Sequence, residues 1–181
     1  MAHNPKTNII KYRPYVEKYS AAYSLDPNIV AALIMTESKF DPNARNYNPE
    51  TQEGTSASGL GQIVQKTWDS LKYKHSLGNN VMDPEMNIKG TCAYLREQAN
   101  EFGGRVNYGL AAYLTGAHDE DLNRYYKKNP NASLEDLDRY MLSHSKVYRA
   151  NIQNGKGYLN VIGYYAQIKG NYNLTSSARS T

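Results

Sequence analysis

The sequence is poor in the features that most quickly assign a chain to a class. It holds a single cysteine, Cys92, so an internal disulfide is excluded. Its four histidines, His3, His75, His118 and His144, lie far apart. No metal-ligand spacing and no cofactor motif is present, so neither a metal nor a cofactor is expected. No run of apolar residues is long enough to cross a bilayer, which excludes an integral membrane segment. The N-terminal stretch Met1-Ala2-His3-Asn4-Pro5-Lys6 is polar and lacks the apolar centre of a signal peptide, so cytoplasmic synthesis is expected. Lysine and arginine total 21 against 17 acids, a net charge of +4, but they form no dense run and no basic stripe interleaved with aromatics. A nucleic-acid partner is therefore not expected. Internal repeats, low-complexity tracts and any pattern of a β-sheet core are also missing.

What is present points to one helical domain. A chain of 181 residues with 40% hydrophobic content can bury a sizeable core. One domain over residues 1–181 is expected, with its core at about residues 9–170 and both ends loose. Aromatic content is skewed, with 17 Tyr against 2 Phe and 1 Trp. Most of these tyrosines must fill the core with hydroxyls at its edge, while some can line a wet groove and stack on sugars.

Taken in order, Met1 to Asn8 reads as a frayed tail and Pro14 as the first turn of a helix carrying Tyr15, Val16, Tyr19 and Tyr23. Asp26-Pro27-Asn28 has the form of an N-cap followed by a proline at the first helical position. Asp41-Pro42 ends that helix. The polar stretch from Asn43 to Ser58 is a long loop or small β flap, and loops of that length are often functional. A helix follows through Thr67, Trp68 and Leu71. Asp83-Pro84 repeats the cap signature, and Ile88, Cys92, Leu95, Ala99 and Phe102 recur at helical spacing until Gly103-Gly104. Tyr108 to Leu114 forms a short apolar helix ending at Gly116. Asp119 to Arg124 is charged; Asn131 or Ser133 caps a helix running to Met141; Tyr158, Val161, Ile162, Tyr165 and Ile168 mark a closing helix. Asn171 to Thr181 reads as a loose tail.

The chain is organised around Ile29 to Ile63. Val30, Leu33, Ile34 and Glu37 fall at i, i+3, i+4 and i+7, so Glu37 continues an apolar stripe instead of facing water. An acid in such a place is expected to have a raised pKa and to serve as a general acid near neutrality.

The same residues resemble a known family. Glu37-Ser38-Lys39-Phe40-Asp41-Pro42-Asn43-Ala44 is similar to the Glu-Ser motif of soluble lytic transglycosylases. Ser58-Gly59-Leu60-Gly61-Gln62-Ile63 resembles their Gly-Leu-Met-Gln motif, with Gly61 in place of Met. Ala111-Ala112-Tyr113 resembles their Ala-Tyr-Asn motif, with Leu114 in place of Asn. Tyr158-Leu159-Asn160-Val161-Ile162 is weakly similar to a late Tyr-Val motif. The order and rough spacing of the first three agree, and the resemblance covers about Tyr15 to Gln167. The Ala57-to-Gln62 form followed by Thr67-Trp68 looks most like phage-encoded members.

This resemblance implies a mainly α, lysozyme-like fold of two helical lobes and a cleft. It also implies cleavage of the β-1,4 bond between N-acetylmuramic acid and N-acetylglucosamine in peptidoglycan. Glu37 would be the single catalytic acid, then base, giving 1,6-anhydro ends without consuming water. Ser38, Ser58, Gln62, Tyr113 and Tyr158 would be substrate-binding. Gln62 is expected to reach the sugar or the Glu37 carboxylate, and Tyr113 to position Glu37 or the N-acetyl group. The partners implied are peptidoglycan strands, with the protein a monomer that acts on the wall or periplasm after synthesis in a host cytoplasm, or travels in a virion. Two alternatives stay open. Glu50 and Glu53 in the long loop would supply a second carboxylate for a goose-type hydrolase that activates water. A catalytically silent wall-binding virion protein would keep the groove alone.

Overall fold

The computed structural model describes residues 4–46, 56–116, 118–153 and 157–175. Among them are nine helices and a small three-stranded sheet, the lysozyme-like, mainly α architecture. Glu50 and Glu53 lie outside the described residues.

Helix α1 (Pro5–Ala22) begins earlier than the sequence reading placed it. Asn4 accepts from the Lys6 amide and Pro5 follows, the same cap-plus-proline device seen at Asp26-Pro27. Residues 4–8 are therefore no frayed tail, and the Asn8 side chain donates to the Phe40 carbonyl at 2.8 Å. Pro14 lies inside α1, not in its first turn. The helix tolerates it because Ile10 and Pro14 both face solvent, where water can satisfy the carbonyl that the missing N–H leaves over.

Helix α2 (Pro27–Ser38) is the centre of the molecule. Asp26 caps it, and every residue from Val30 to Thr36 is buried. A helix apolar on all sides belongs inside a core, not on its edge. It packs chiefly on α9 (Tyr158–Asn171) and on α1, and α1 also meets α4 (Pro84–Glu101). The chain leaves α2 through two consecutive left-handed residues, Lys39 at φ 55° and Phe40 at φ 61°, and Phe40 is completely buried. That sharp exit fixes where the helix stops and how its last turn, Glu37 and Ser38, is presented.

Strands β1 (Arg45–Asn46), β2 (Ala57–Ser58) and β3 (Ile63–Val64) pair antiparallel in that order, with Arg45 opposite Ser58 and Ala57 opposite Val64. Helix α3 (Gln65–Leu71) continues from β3 and seats Trp68 in a small satellite core with Ile63, Leu71 and Leu77.

Helix α4, capped by Asp83, lies along α5 (Val106–Thr115) in the most extensive helix pairing of the molecule. The approach is close enough that a Cβ on Gly109 would sit 2.8 Å from the Ala99 backbone. Beyond Gly116 come α6 (Glu120–Lys128), α7 (Leu134–His144) and α8 (Lys146–Gln153). Ser133 caps α7 through a full capping box with Asp136. The end of the described chain is tied down too. Leu174 exchanges two hydrogen bonds of 3.0 Å with the Asn28 side chain, so residues 171–175 are not the loose tail that was expected.

Candidate active site

The C-terminal turn of α2, the β2–β3 turn, α3, α4, α5 and α8 enclose a cleft of about 200 Å³. Glu37, Gln62, Tyr94, Tyr113, Leu114 and Asn151 line it, with Ala57, Ile63, Val64 and Thr67 completing the wall. Glu37 is half-buried at its edge and is the one carboxylate among the described residues of this lining. The apolar helix carries the acid to that position and the left-handed exit after it turns the chain away, leaving the side chain at the wall.

Facing α2 is the turn Gly59-Leu60-Gly61-Gln62, with Gly59 at φ 74° and Gln62 at φ 50°. The Gly61 peptide is held on both sides. Its N–H donates to Asn87 Oδ1 at 2.8 Å, and its carbonyl accepts from the Tyr113 hydroxyl at 2.7 Å. Asn87 is fully buried and also donates through Nδ2 to the carbonyls of Val81 at 2.8 Å and Ser58 at 3.2 Å. One carboxamide thus fastens the turn to α4, and each of these bonds would be costly to leave unmade in the interior. Gly61 has no space for a side chain, because a Cβ there would lie 1.9 Å from Thr91 Oγ1 and 3.0 Å from the Tyr113 hydroxyl. The departure from Met at this position therefore has a steric counterpart in Thr91.

The candidate residues fall into two groups. Glu37, Gln62 and Tyr113 share the cleft wall. Gln62 points its amide nitrogen inward, donating to the carbonyls of Gly59 at 2.9 Å and Ala44 at 3.1 Å, so both its N–H groups brace the loop. Tyr113 spends its hydroxyl proton on Gly61 and not on Glu37. Burial, with the charge of Glu37 adding to it, holds that hydroxyl well above its ordinary pKa, so it stays a donor.

Ser38, Ser58 and Tyr158 do not join the lining. The Ser38 hydroxyl donates to the Ile34 carbonyl at 3.3 Å, back along its own helix. Ser58 is buried behind the strand, where its neighbour Ala57 lines the wall instead. Tyr158 is fully buried, with its ring centroid 4.1 Å from that of Tyr148 and its amide donating to the Tyr148 hydroxyl at 2.8 Å. It is a core residue of the α5–α9 lobe, and the expectation that it binds substrate is corrected.

Four polar residues that the sequence reading passed over belong to this site: Asn87, Thr91, Tyr94 and Asn151. The first two left a weak signal, polar residues on the inward face of a helix whose apolar stripe is otherwise clear. Asn151 left none, because α8 itself was not recognised. Among the described residues no group of three His, Cys, Asp or Glu is placed to hold a metal ion, and no helix is long and apolar enough to cross a membrane.

Known proteins share much of this sequence. Residues 14–135 match the transglycosylase SLT domain. The chain is 34% identical over 119 residues to the transglycosylase of Enterobacteria phage PRD1, covering 66% of this chain and 40% of that protein. It is 34% identical over 102 residues to the membrane-bound lytic murein transglycosylase C of Yersinia pestis (strain Pestoides F), covering 53% of this chain and 26% of that protein. The chain therefore spans less than half the length of these curated relatives. With a family match that covers Glu37, the Gly61 turn and Tyr113, the chain belongs to the transglycosylase SLT domain family.

Proposed function

We propose that this chain cleaves the β-1,4 bond between N-acetylmuramic acid and N-acetylglucosamine in bacterial peptidoglycan as a lytic transglycosylase. The observation that carries the reading is Glu37, a half-buried acid at the wall of a cleft bounded by the braced Gly61 turn and Tyr113. Family membership and the names of the phage and Yersinia relatives support it.

In this mechanism the Glu37 carboxyl gives its proton to the glycosidic oxygen as the C1–O bond breaks, and positive charge develops at the anomeric carbon. The substrate's acetamido group stabilises that carbon. The Glu37 carboxylate then removes the proton of the muramic C6 hydroxyl, whose oxygen bonds to C1. Glu37 ends protonated as it began, the product carries a 1,6-anhydro ring, and no water is consumed. One carboxylate suffices for both steps. Gln62 and Tyr113 shape the wall, and any contact of Gln62 with sugar uses its Oε1, since its N–H groups are engaged. The enzyme acts on the wall as a monomer without a metal or organic cofactor.

The test is digestion of purified sacculi followed by mass spectrometry of the muropeptides. Anhydro ends, lighter by one water than reducing ends, are expected. Glu37→Gln should remain folded and lose about 10²- to 10⁴-fold in turnover. Reducing ends would show a hydrolase instead, and full activity in Glu37→Gln would remove the acid from the mechanism.

A further inference from the structure

The hydrogen-bond inventory of the cleft leaves few polar groups for a ligand. Gln62 has used both N–H groups on backbone carbonyls. Tyr113 has used its hydroxyl proton on Gly61. The remaining wall is apolar at Ala57, Ile63, Val64 and Leu114. Asn151, carried in from α8, differs. Its Nδ2 donates to the Leu114 carbonyl in the last turn of α5, which satisfies a carbonyl that the helix end cannot pair internally. That bond uses one N–H of the carboxamide. The other N–H and Oδ1 belong to a half-buried group on the cleft wall. Thr67 and Tyr94 offer single hydroxyls and the Glu37 carboxyl is committed to proton transfer, while Asn151 presents a donor and an acceptor side by side with the orientation of the group already fixed. A neutral amide on the ligand, with its own carbonyl and N–H, is the complementary partner.

We infer that Asn151 is a substrate-contacting residue that reads an N-acetyl group of the bound glycan. Its bond to the Leu114 carbonyl is the device that orients it. This rests on the reading of the cleft as a glycan site. Pre-orientation matters because a carboxamide already held by one bond loses little freedom when it makes two more.

The experiment measures binding of two probes by calorimetry, the tetramer of N-acetylglucosamine and the tetramer of glucosamine, to full-length Glu37→Gln protein so that no turnover intervenes. The parent should prefer the acetylated tetramer. Asn151→Ala should weaken the acetylated probe by about tenfold and the other by less than about twofold, so the loss follows the acetyl group and not the backbone sugar. Asn151→Asp, which keeps the size and an acceptor oxygen but no donor, should bind as weakly as Asn151→Ala. Leu114→Asn added to Asn151→Ala returns a carboxamide to the same stretch of wall and should recover part of the preference. Equal losses for both probes, or unchanged binding of the acetylated probe, overturn the inference, as does a parent without preference. Digestion of sacculi by the unsubstituted protein separates this from the broader reading. Muropeptides released while Asn151→Ala binds like its parent remove only the role of Asn151; no release and no binding of either tetramer remove the glycan site itself.

Discussion

The turn at residues 58–62 and the lobe formed by α7, α8 and α9 are both assembled around buried polar groups, but the groups do different things. At the turn, side chains from α4 and α5 hold backbone: Asn87 and Tyr113 grip the Gly61 peptide, and Asn87 grips Ser58 and Val81. In the lobe, side chains mostly hold one another. The Tyr148 hydroxyl donates to buried Asp138 and accepts from the Tyr158 amide, and Ser145 donates to Asp119 at 2.9 Å. The first arrangement fixes a strained turn in one position beside Glu37. The second makes a tyrosine-rich core out of residues that each carry a polar atom, and its strength resides in the bonds that Tyr148, Asp138 and Ser145 close. Position is the product of the first region and stability that of the second.

The largest effect that would test this division comes from Gly61→Met, the residue the family motif carries there. The added side chain has no space against Thr91 and Tyr113. Overpacking of this kind costs about 1–3 kcal/mol. Turnover on sacculi should fall further than stability, by about 10²-fold, because a shift of about 1 Å in a wall residue has that consequence for a positioned reaction. Gly61→Met combined with Thr91→Gly should recover activity relative to Gly61→Met alone. Equal activity in the single and double variants would show that Thr91 does not set the turn.

Tyr148→Phe probes the other region. It takes from Asp138 the tyrosine donor and leaves the Tyr158 amide without its acceptor, in a fully buried place. A loss of about 2–3 kcal/mol in urea unfolding is expected. Turnover well below the melting temperature should change less than about twofold, since neither residue lines the cleft. A parallel collapse of activity would mean that the two regions are one mechanical unit.

Alkaline titration probes the buried tyrosines without mutation. Burial pushes the Tyr108 hydroxyl up to about 12 and raises Tyr148 and Tyr158 beyond the ordinary tyrosine value as well. The sign follows from linkage. Folded chains hold these protons more tightly than unfolded ones, so their contribution is complete below pH 10, the ordinary value, and is lost as pH rises through the folded value. Stability should therefore fall between about pH 10 and 12, with the buried tyrosines' share of the tyrosinate absorbance appearing together with loss of helix. Tyr148→Phe should flatten that slope.

Legibility in the sequence followed the same division. Caps and stops were readable because each is a local device: Asp26-Pro27, Asp83-Pro84, Ser133, and the glycines after Glu101 and Thr115. Apolar helices α2 and α4 were readable from period. Helix α6 was not, because its stripe of Leu122, Tyr125 and Tyr126 is barely one turn long and Leu122 alone is fully buried. Its signal was electrostatic, an Asp119 cap with Glu120 and Asp121 in the first turn and two lysines in the last. The start of α1 was lost because Asn4-Pro5 sits in a polar context that reads as a tail. At the site, Glu37 and the Gly61 turn were legible from residue type and spacing. The grip on the turn was not, because a buried Asn87 or Asn151 bonding to a distant carbonyl has no periodic signature. Gln62 showed the converse. Its amide was expected to face a sugar, yet a glutamine in a left-handed position of a tight turn satisfies nearby carbonyls first.

The smallest effect belongs to the hinge between the two descriptions, Lys39. It holds a left-handed conformation at the end of α2, where glycine is the usual residue, and its ammonium donates to the Tyr164 hydroxyl at 2.8 Å on an exposed surface. Lys39→Gly would gain about 1 kcal/mol by removing the Cβ from that conformation. It would forfeit an exposed cation contact of about 0.5–1 kcal/mol. The two nearly cancel, so the urea midpoint should stay within the equivalent of about 0.5 kcal/mol of the parent. Turnover is the more discriminating readout. If the left-handed exit serves only to turn the chain, glycine performs it equally well and activity is retained. If Lys39 stiffens the last turn of α2 through Tyr164, its loss lets Glu37 wander and turnover falls while stability does not. The close packing of the completely buried Phe40 directly behind it favours the first outcome.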